Sequence, residues 1–107
     1  MASLNSVHLM GNLTRDPELR FTPQGIAVSD FTVAVDRSWK SKEGVMKEET
    51  SFIQCTMWAK QAETICNYLE KGDPIYIDGR LTVDKWEGPE GDKRQKMKVI
   101  GEHFQFV

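Results

Sequence analysis

The chain has 107 residues, 39% of them apolar and 28% charged, with a formal net charge of −2. That is enough for one small domain with one core, and it excludes a disordered polymer or a pair of domains. No apolar run approaches the roughly 20 residues of a membrane helix, and the N-terminus lacks the basic, then apolar, then small-residue order of a signal peptide.

Val7 to Leu13 is a short apolar stretch interrupted by Gly11, as in a strand that must bend. Thr22-Pro23-Gln24-Gly25 is turn chemistry, with φ preset at proline and positive φ allowed at glycine. Val28 to Val35 alternates: Phe31, Val33 and Val35 share one face, Asp30 and Thr32 the other. Ser38 to Glu49 is polar and charged, and is predicted to be a long, mobile hairpin loop. Ser51 to Trp58 is a second alternating strand.

Ala59 to Lys71 is the one good helix pattern, with Ala62, Ile65, Cys66 and Leu69 on its apolar stripe and Gly72 as its terminator. Ile75 to Trp86 reads as a long strand with a bend at Gly79. Glu87 to Asp92 is a second loop, and Lys96 to Val107 closes the set. Five strands with one helix between the third and fourth suit a mainly β Greek-key barrel.

Strand parity carries the functional argument. Ile53, Cys55 and Met57 form a core face; Phe52, Gln54, Thr56 and Trp58 form the other. In the later strand Ile75, Ile77, Leu81 and Val83 read as core, and Tyr76, Asp78, Arg80, Thr82, Asp84 and Trp86 as the polar side. Trp39 follows the parity of Phe31 to Val35, but at the strand's end it is free to swing outward. Large aromatics on a solvated face call for a partner. A subunit, a helix or their own loops would serve. So would nucleobases, whose stacking is sequence-tolerant and worth about 1–3 kcal/mol per base.

The cations support the nucleic-acid reading despite the negative total. Lys93, Arg94, Lys96 and Lys98 run without an acid between them, and Arg37, Lys40 and Lys42 meet only Glu43. Arg37, Lys40, Lys42, Arg80, Lys85, Lys93, Arg94 and Lys96 are the candidate phosphate contacts.

Cys55 and Cys66 have no CxxC spacing, and His8 and His103 are not placed as their partners, so neither a zinc site nor any other metal or cofactor is expected. Nothing points to a disulfide, and the reducing cytoplasm is the expected compartment. No nucleophile–base pair or phosphate-cradling glycine loop is visible, so no enzymatic activity is expected.

Longer stretches resemble a known family. Val7-His8-Leu9-Met10-Gly11-Asn12-Leu13-Thr14-Arg15-Asp16-Pro17-Glu18-Leu19-Arg20, Ala27 to Val35, and Tyr68-Leu69-Glu70-Lys71-Gly72-Asp73 followed by Ile75-Tyr76-Ile77-Asp78-Gly79-Arg80-Leu81 resemble bacterial single-stranded DNA-binding proteins of the OB-fold type. The resemblance covers essentially the whole chain.

It implies a single OB-fold domain over residues 1–107 that binds and protects single-stranded DNA without sequence preference. The roles implied are replication, recombination and repair, near the nucleoid. By motif position Trp39, Phe52, Trp58 and Trp86 resemble the family's base-stacking aromatics, with the usual Trp and Phe exchanged at Phe52 and Trp58. The resemblance also implies a homotetramer, with a dimer as the alternative, in which Tyr76, Asp78 and Ile53 lie at subunit contacts. Ile53 stands where a polar residue is common. Arg80 falls between a phosphate role and an interface role.

Family members continue into a flexible Gly- and Pro-rich tail with an acidic tip, which these residues lack after Phe104-Gln105-Phe106-Val107. Recruitment of replication and repair proteins is not expected without it. The alternative reading is an OB-fold protein-interaction module of the primosome accessory type with weak nucleic-acid binding. An RNA-binding, cold-shock-like module is a third option.

Overall fold

A computed structural model describes residues 1–107. In chain order the elements are β1 (Val7–Leu13), β2 (Glu18–Phe21), β3 (Ala27–Lys40), β4 (Met46–Trp58), α1 (Ala59–Tyr68), β5 (Pro74–Glu87) and β6 (Lys93–Phe106). The sheet order is β1-β5-β6-β4-β3-β2, and a β1–β3 pairing closes it into a barrel. Asn12 and Leu13 pair with Ala34 and Val33, and Glu18 to Phe21 continue down β3 to Ala27. β1 and β2 are thus one barrel strand, broken around Asp16-Pro17. With that count, the chain is the five-stranded OB-type barrel expected, with its helix after the third strand.

The core is Leu13, Ala27, Phe31, Val33, Cys55, Met57, Ala62, Ile65, Ile75, Ile77 and Val99. The alternation of β3 and β4 puts Phe31, Val33, Cys55 and Met57 inward, and α1 plugs the barrel with Ala62 and Ile65. Burial in this apolar setting pushes the Cys55 thiol up to about 12, so it packs as a small hydrophobe. Gly11 answers the bend expected in β1: a Cβ there would collide with the Ala34 carbonyl where β1 passes from β5 to β3.

The structure corrects three expectations. Ser38 to Glu49 is not a mobile loop. β3 and β4 pair without interruption from Val28–Trp58 to Lys40–Met46, which leaves a turn at residues 41–45. Gly44 turns there at φ +81°, and Ser41 accepts the Val45 N–H through its hydroxyl. The ribbon has no core beneath it. Its ladder is reinforced by cross-strand polar pairs, Arg37 with Glu49 at 3.4 Å and Thr50 donating to Asp36 at 2.7 Å.

Second, the helix stops at Tyr68, because Leu69 is extended. The next residues bond elsewhere: Lys71 N–H donates to Asp16 and Gly72 N–H to the Leu13 carbonyl. Gly72 therefore ends a turn (φ +92°), not the helix.

Third, Leu81 and Val83 are not core. They are 39% and 41% exposed, because a register shift between Asp78 and Gly79 marks where β5 and β6 leave the barrel as a projecting hairpin.

The passage from β4 into α1 is abrupt. Trp58 is extended, and Ala59 follows in the left-handed region at φ +59°. That conformation costs an L-residue roughly 1–2 kcal/mol. It lets the chain leave the sheet directly after Trp58.

Candidate nucleic-acid interface

Pairing fixes which side chains share a face. Asp30 opposes Thr56, Thr32 opposes Gln54, and Ala34 opposes Phe52. The parallel β4–β6 rungs set Thr56 beside Ile100, and antiparallel pairing sets Lys98, Lys96 and Arg94 opposite Thr82, Asp84 and Trp86. One continuous outward face therefore carries Phe52, Gln54, Thr56, Trp58, Arg80, Thr82, Asp84, Trp86, Arg94, Lys96 and Lys98. Its aromatics are open to solvent: Phe52 is 66%, Trp58 42% and Trp86 47% exposed.

A groove of about 330 Å³ crosses this face, lined among others by Arg15, Thr32, Gln54, Thr56, Lys96 and Lys98. Asp30 anchors its floor. It accepts Arg20 Nε at 2.6 Å and the buried Thr56 hydroxyl at 2.9 Å. Burial alone would raise the Asp30 carboxyl. The hydrogen bonds from Arg20 and Thr56, with the charges of Arg20 and Lys98, outweigh it and hold the group below the usual carboxylate range.

A depressed folded-state pKa adds stability that is present above the unfolded value, near 3.9, and lost as pH falls through the folded value. Asp30→Asn should therefore lose stability at pH 7, by no more than about 1 kcal/mol for so exposed a pair. The gap from wild type should narrow as pH falls below about 4 and through the lowered folded-state value. Urea midpoints across that range test this, and a gap constant with pH would remove Asp30 from the account.

Of the four expected stacking residues, Phe52, Trp58 and Trp86 share the face. Trp39 does not join them by alternation. It opposes Lys47 on the reverse parity, and Arg37 covers its ring at 4.7 Å. Among the expected phosphate contacts, Arg94 and Lys96 lie on the aromatic face, and Lys96 has no carboxylate within ion-pair distance. Arg80 shares the face at the hairpin's root. Lys40 opposes Met46 near the β3–β4 tip, and Lys42 lies in the turn. Arg37 is held by Glu49.

Lys85 and Lys93 alternate to the reverse of the hairpin, opposite Gln95 and Glu87. Sequence reasoning passed over three residues that line the groove. Lys98, paired with Asp84 at 2.9 Å, was visible in the basic run. Gln54 stood on the outward parity of β4, and Arg15 carried no local signal.

The other end of β5 bears a separate polar cluster. Tyr76 donates to Asp78 at 3.2 Å, so His8 Nδ1, 2.9 Å from the Tyr76 oxygen, is the donor there. His103 Nδ1 donates to Asp78 at 2.9 Å. The His103 hydrogen bond is the main reason the Asp78 carboxyl sits below its ordinary range. Ile53 is half-buried, packed against the core.

A barrel of this topology, with aromatic rings and cations side by side on one open face, is an OB-type domain. The comparisons are more specific. Residues 4–107 match the model of the "Single-strand binding protein family", and the chain belongs to that family.

It is 44% identical over 104 residues to the single-stranded DNA-binding protein of Bacillus cereus, covering 97% of this chain and 60% of that protein. Against single-stranded DNA-binding protein A of Bacillus subtilis the identity is 43%, over 97% of this chain and 59% of that one. The chain thus spans about three-fifths of the length of these curated relatives.

Among solved structures, a deletion mutant of the single-stranded DNA-binding protein from Thermus aquaticus superposes with a TM-score of 0.87 at 33% identity, over 97% of this chain and 50% of that one. The Plasmodium falciparum SSB in complex with ssDNA gives a TM-score of 0.90 at 24% identity, over 100% and 97% of the two chains, a likeness of fold. No helix is long and apolar enough to cross a membrane.

Proposed function

We propose that this domain binds single-stranded DNA without strong sequence preference and protects it during replication, recombination and repair. The observation that supports this most is the single face holding Phe52, Trp58 and Trp86 beside Arg94, Lys96 and Lys98. Unstacked bases lie on the rings and the cations follow the backbone. Duplex DNA is refused because its bases are already stacked on one another.

Preferential binding to the open form melts weak hairpins by mass action, with no catalytic step. The domain acts in the cytoplasm, at the nucleoid. It assembles as a homotetramer, with contacts at Tyr76, Asp78 and Ile53, and Arg80 at the border between that surface and the DNA.

Titration with oligo-dT, followed by tryptophan fluorescence at low and high salt with duplex as control, tests the reading. Saturable quenching by the single strand alone is expected. No quenching would give the lead to a protein-interaction module. The cations divide by face. Lys96→Ala should lower the salt slope by about 0.7, the value of one phosphate contact on a single strand. Lys93→Ala should lower it less. Equal effects would show that the reverse of the hairpin also meets the backbone.

A further inference from the structure

β4 and β6 pair only where Cys55 and Thr56 meet Val99 and Ile100. Beyond those rungs the β3–β4 and β5–β6 hairpins part, and a cleft of about 300 Å³ opens between them. Ile53, Leu81, Met97 and Val99 give it apolar surface. Phe52, Gln54, Lys96 and Lys98, the outward-facing residues of the two strands, bring a ring, an amide and two cations. The flanking stretches of β4 and β6 have no strand partner on the cleft side, so their backbone edges are free.

Each feature selects the occupant. The volume is at the bottom of the roughly 300–1,000 Å³ range of small-molecule sites, which suits one flat heterocycle. The surface is apolar, yet a cation without an acidic partner, Lys96, stands beside it. A ligand that is apolar and flat where it enters and anionic where it stays outside is a nucleotide within a strand. Gln54 is exposed and carries a donor and an acceptor on one planar group. That group matches the N6 and N7 edge of adenine, the pairing glutamine makes when it reads bases directly.

We propose that the β4–β6 cleft receives one unstacked nucleobase, flanked by Phe52 and Met97, and that the Gln54 amide reads its edge and favours adenine there. The inference rests on the single-stranded DNA reading and refines it. Stacking elsewhere on the face stays indifferent to sequence, and one position acquires a preference. The free backbone edges supply further hydrogen bonds to whichever base enters.

The test is competition binding with a short dT oligomer, the same oligomer carrying one adenine, and one carrying purine, which lacks the N6 amino group, at that site. The wild-type chain should favour the adenine oligomer by at least about fivefold, the lower bound for one bidentate pair. It should treat the purine oligomer like plain dT. In Gln54→Leu the ratio of adenine-oligomer affinity to dT affinity should fall to about one, whatever the change in dT affinity itself, because Gln54 lies on the binding face.

Equal affinity of the wild-type chain for all three oligomers overturns the cleft proposal and leaves the general binding reading standing. A preference that survives in Gln54→Leu, or extends to purine, also overturns it. Failure to bind any of the three overturns the parent reading and this one with it.

Discussion

Gly79→Ala is expected to cost the fold at least about 3 kcal/mol, at or above the upper end of overpacking penalties. Gly79 and Gly101 face each other at the register shift where β5 and β6 leave the barrel. A Cβ on Gly79 would fall inside the contact shell of the Ile100 carbonyl oxygen and lie 2.9 Å from the Gly101 Cα. Both obstacles are backbone, so no rotamer change relieves them.

A Cβ on Gly101 would instead strike the Met57 side chain, which is fully buried, and approach Ile77 at 3.2 Å. Methionine repacks more readily than backbone moves, so Gly101→Ala should be the milder variant. Urea unfolding of the two side by side tests the order. A Gly79→Ala midpoint equal to wild type would mean that β5 and β6 have room for a methyl group at this crossing. The same variant should also bind DNA worse, because this crossing sets the direction of the hairpin that carries Trp86.

The legible parts of this architecture are those where one residue's environment depends on its immediate neighbours. Alternation in β3 and β4 identified the inward set Phe31, Val33, Cys55 and Met57 and the outward set Phe52 and Trp58, because a strand with one buried face encodes both in its period. The glycines expected to bend strands, Gly11 and Gly79, lie at close backbone approaches.

Local periodicity failed where tertiary pairing decides. The β3–β4 ribbon from Asp36 to Lys40 carries polar residues on both faces, so no apolar alternation marks it. Its ladder and cross-strand pairs hold it extended. Leu81 and Val83 have core parity, but the hairpin has already left the core when they arrive. Arg15 reaches the groove only because the chain breaks between β1 and β2, and no pattern within a few residues could have indicated that. The side on which Lys85 and Lys93 fall needed the β5–β6 register.

The double variant Trp58→Ala/Trp86→Ala should bind oligo-dT about 2–6 kcal/mol more weakly, the sum of two stacking losses of about 1–3 kcal/mol each. Near-additivity follows from placement. Trp58 ends β4 and Trp86 lies near the tip of β5, with β6 between those strands, so the rings serve different bases. Both are exposed enough for truncation to leave the core intact. Trp58→Phe and Trp86→Phe, which keep a π-face, should recover most of the loss.

Salt separates this effect from a loss of charge. Ring truncation releases no fewer counterions, so the plot of log K against log salt should shift down in parallel. Removal of Lys96 should change its slope. A double variant within twofold of wild type would mean that the rings do not meet bases, and the exposed aromatic face would then have to be explained by a protein partner. A double variant whose slope collapses along with its affinity would mean that the rings hold the cations in place, and that backbone attraction, not stacking, supplies most of the binding.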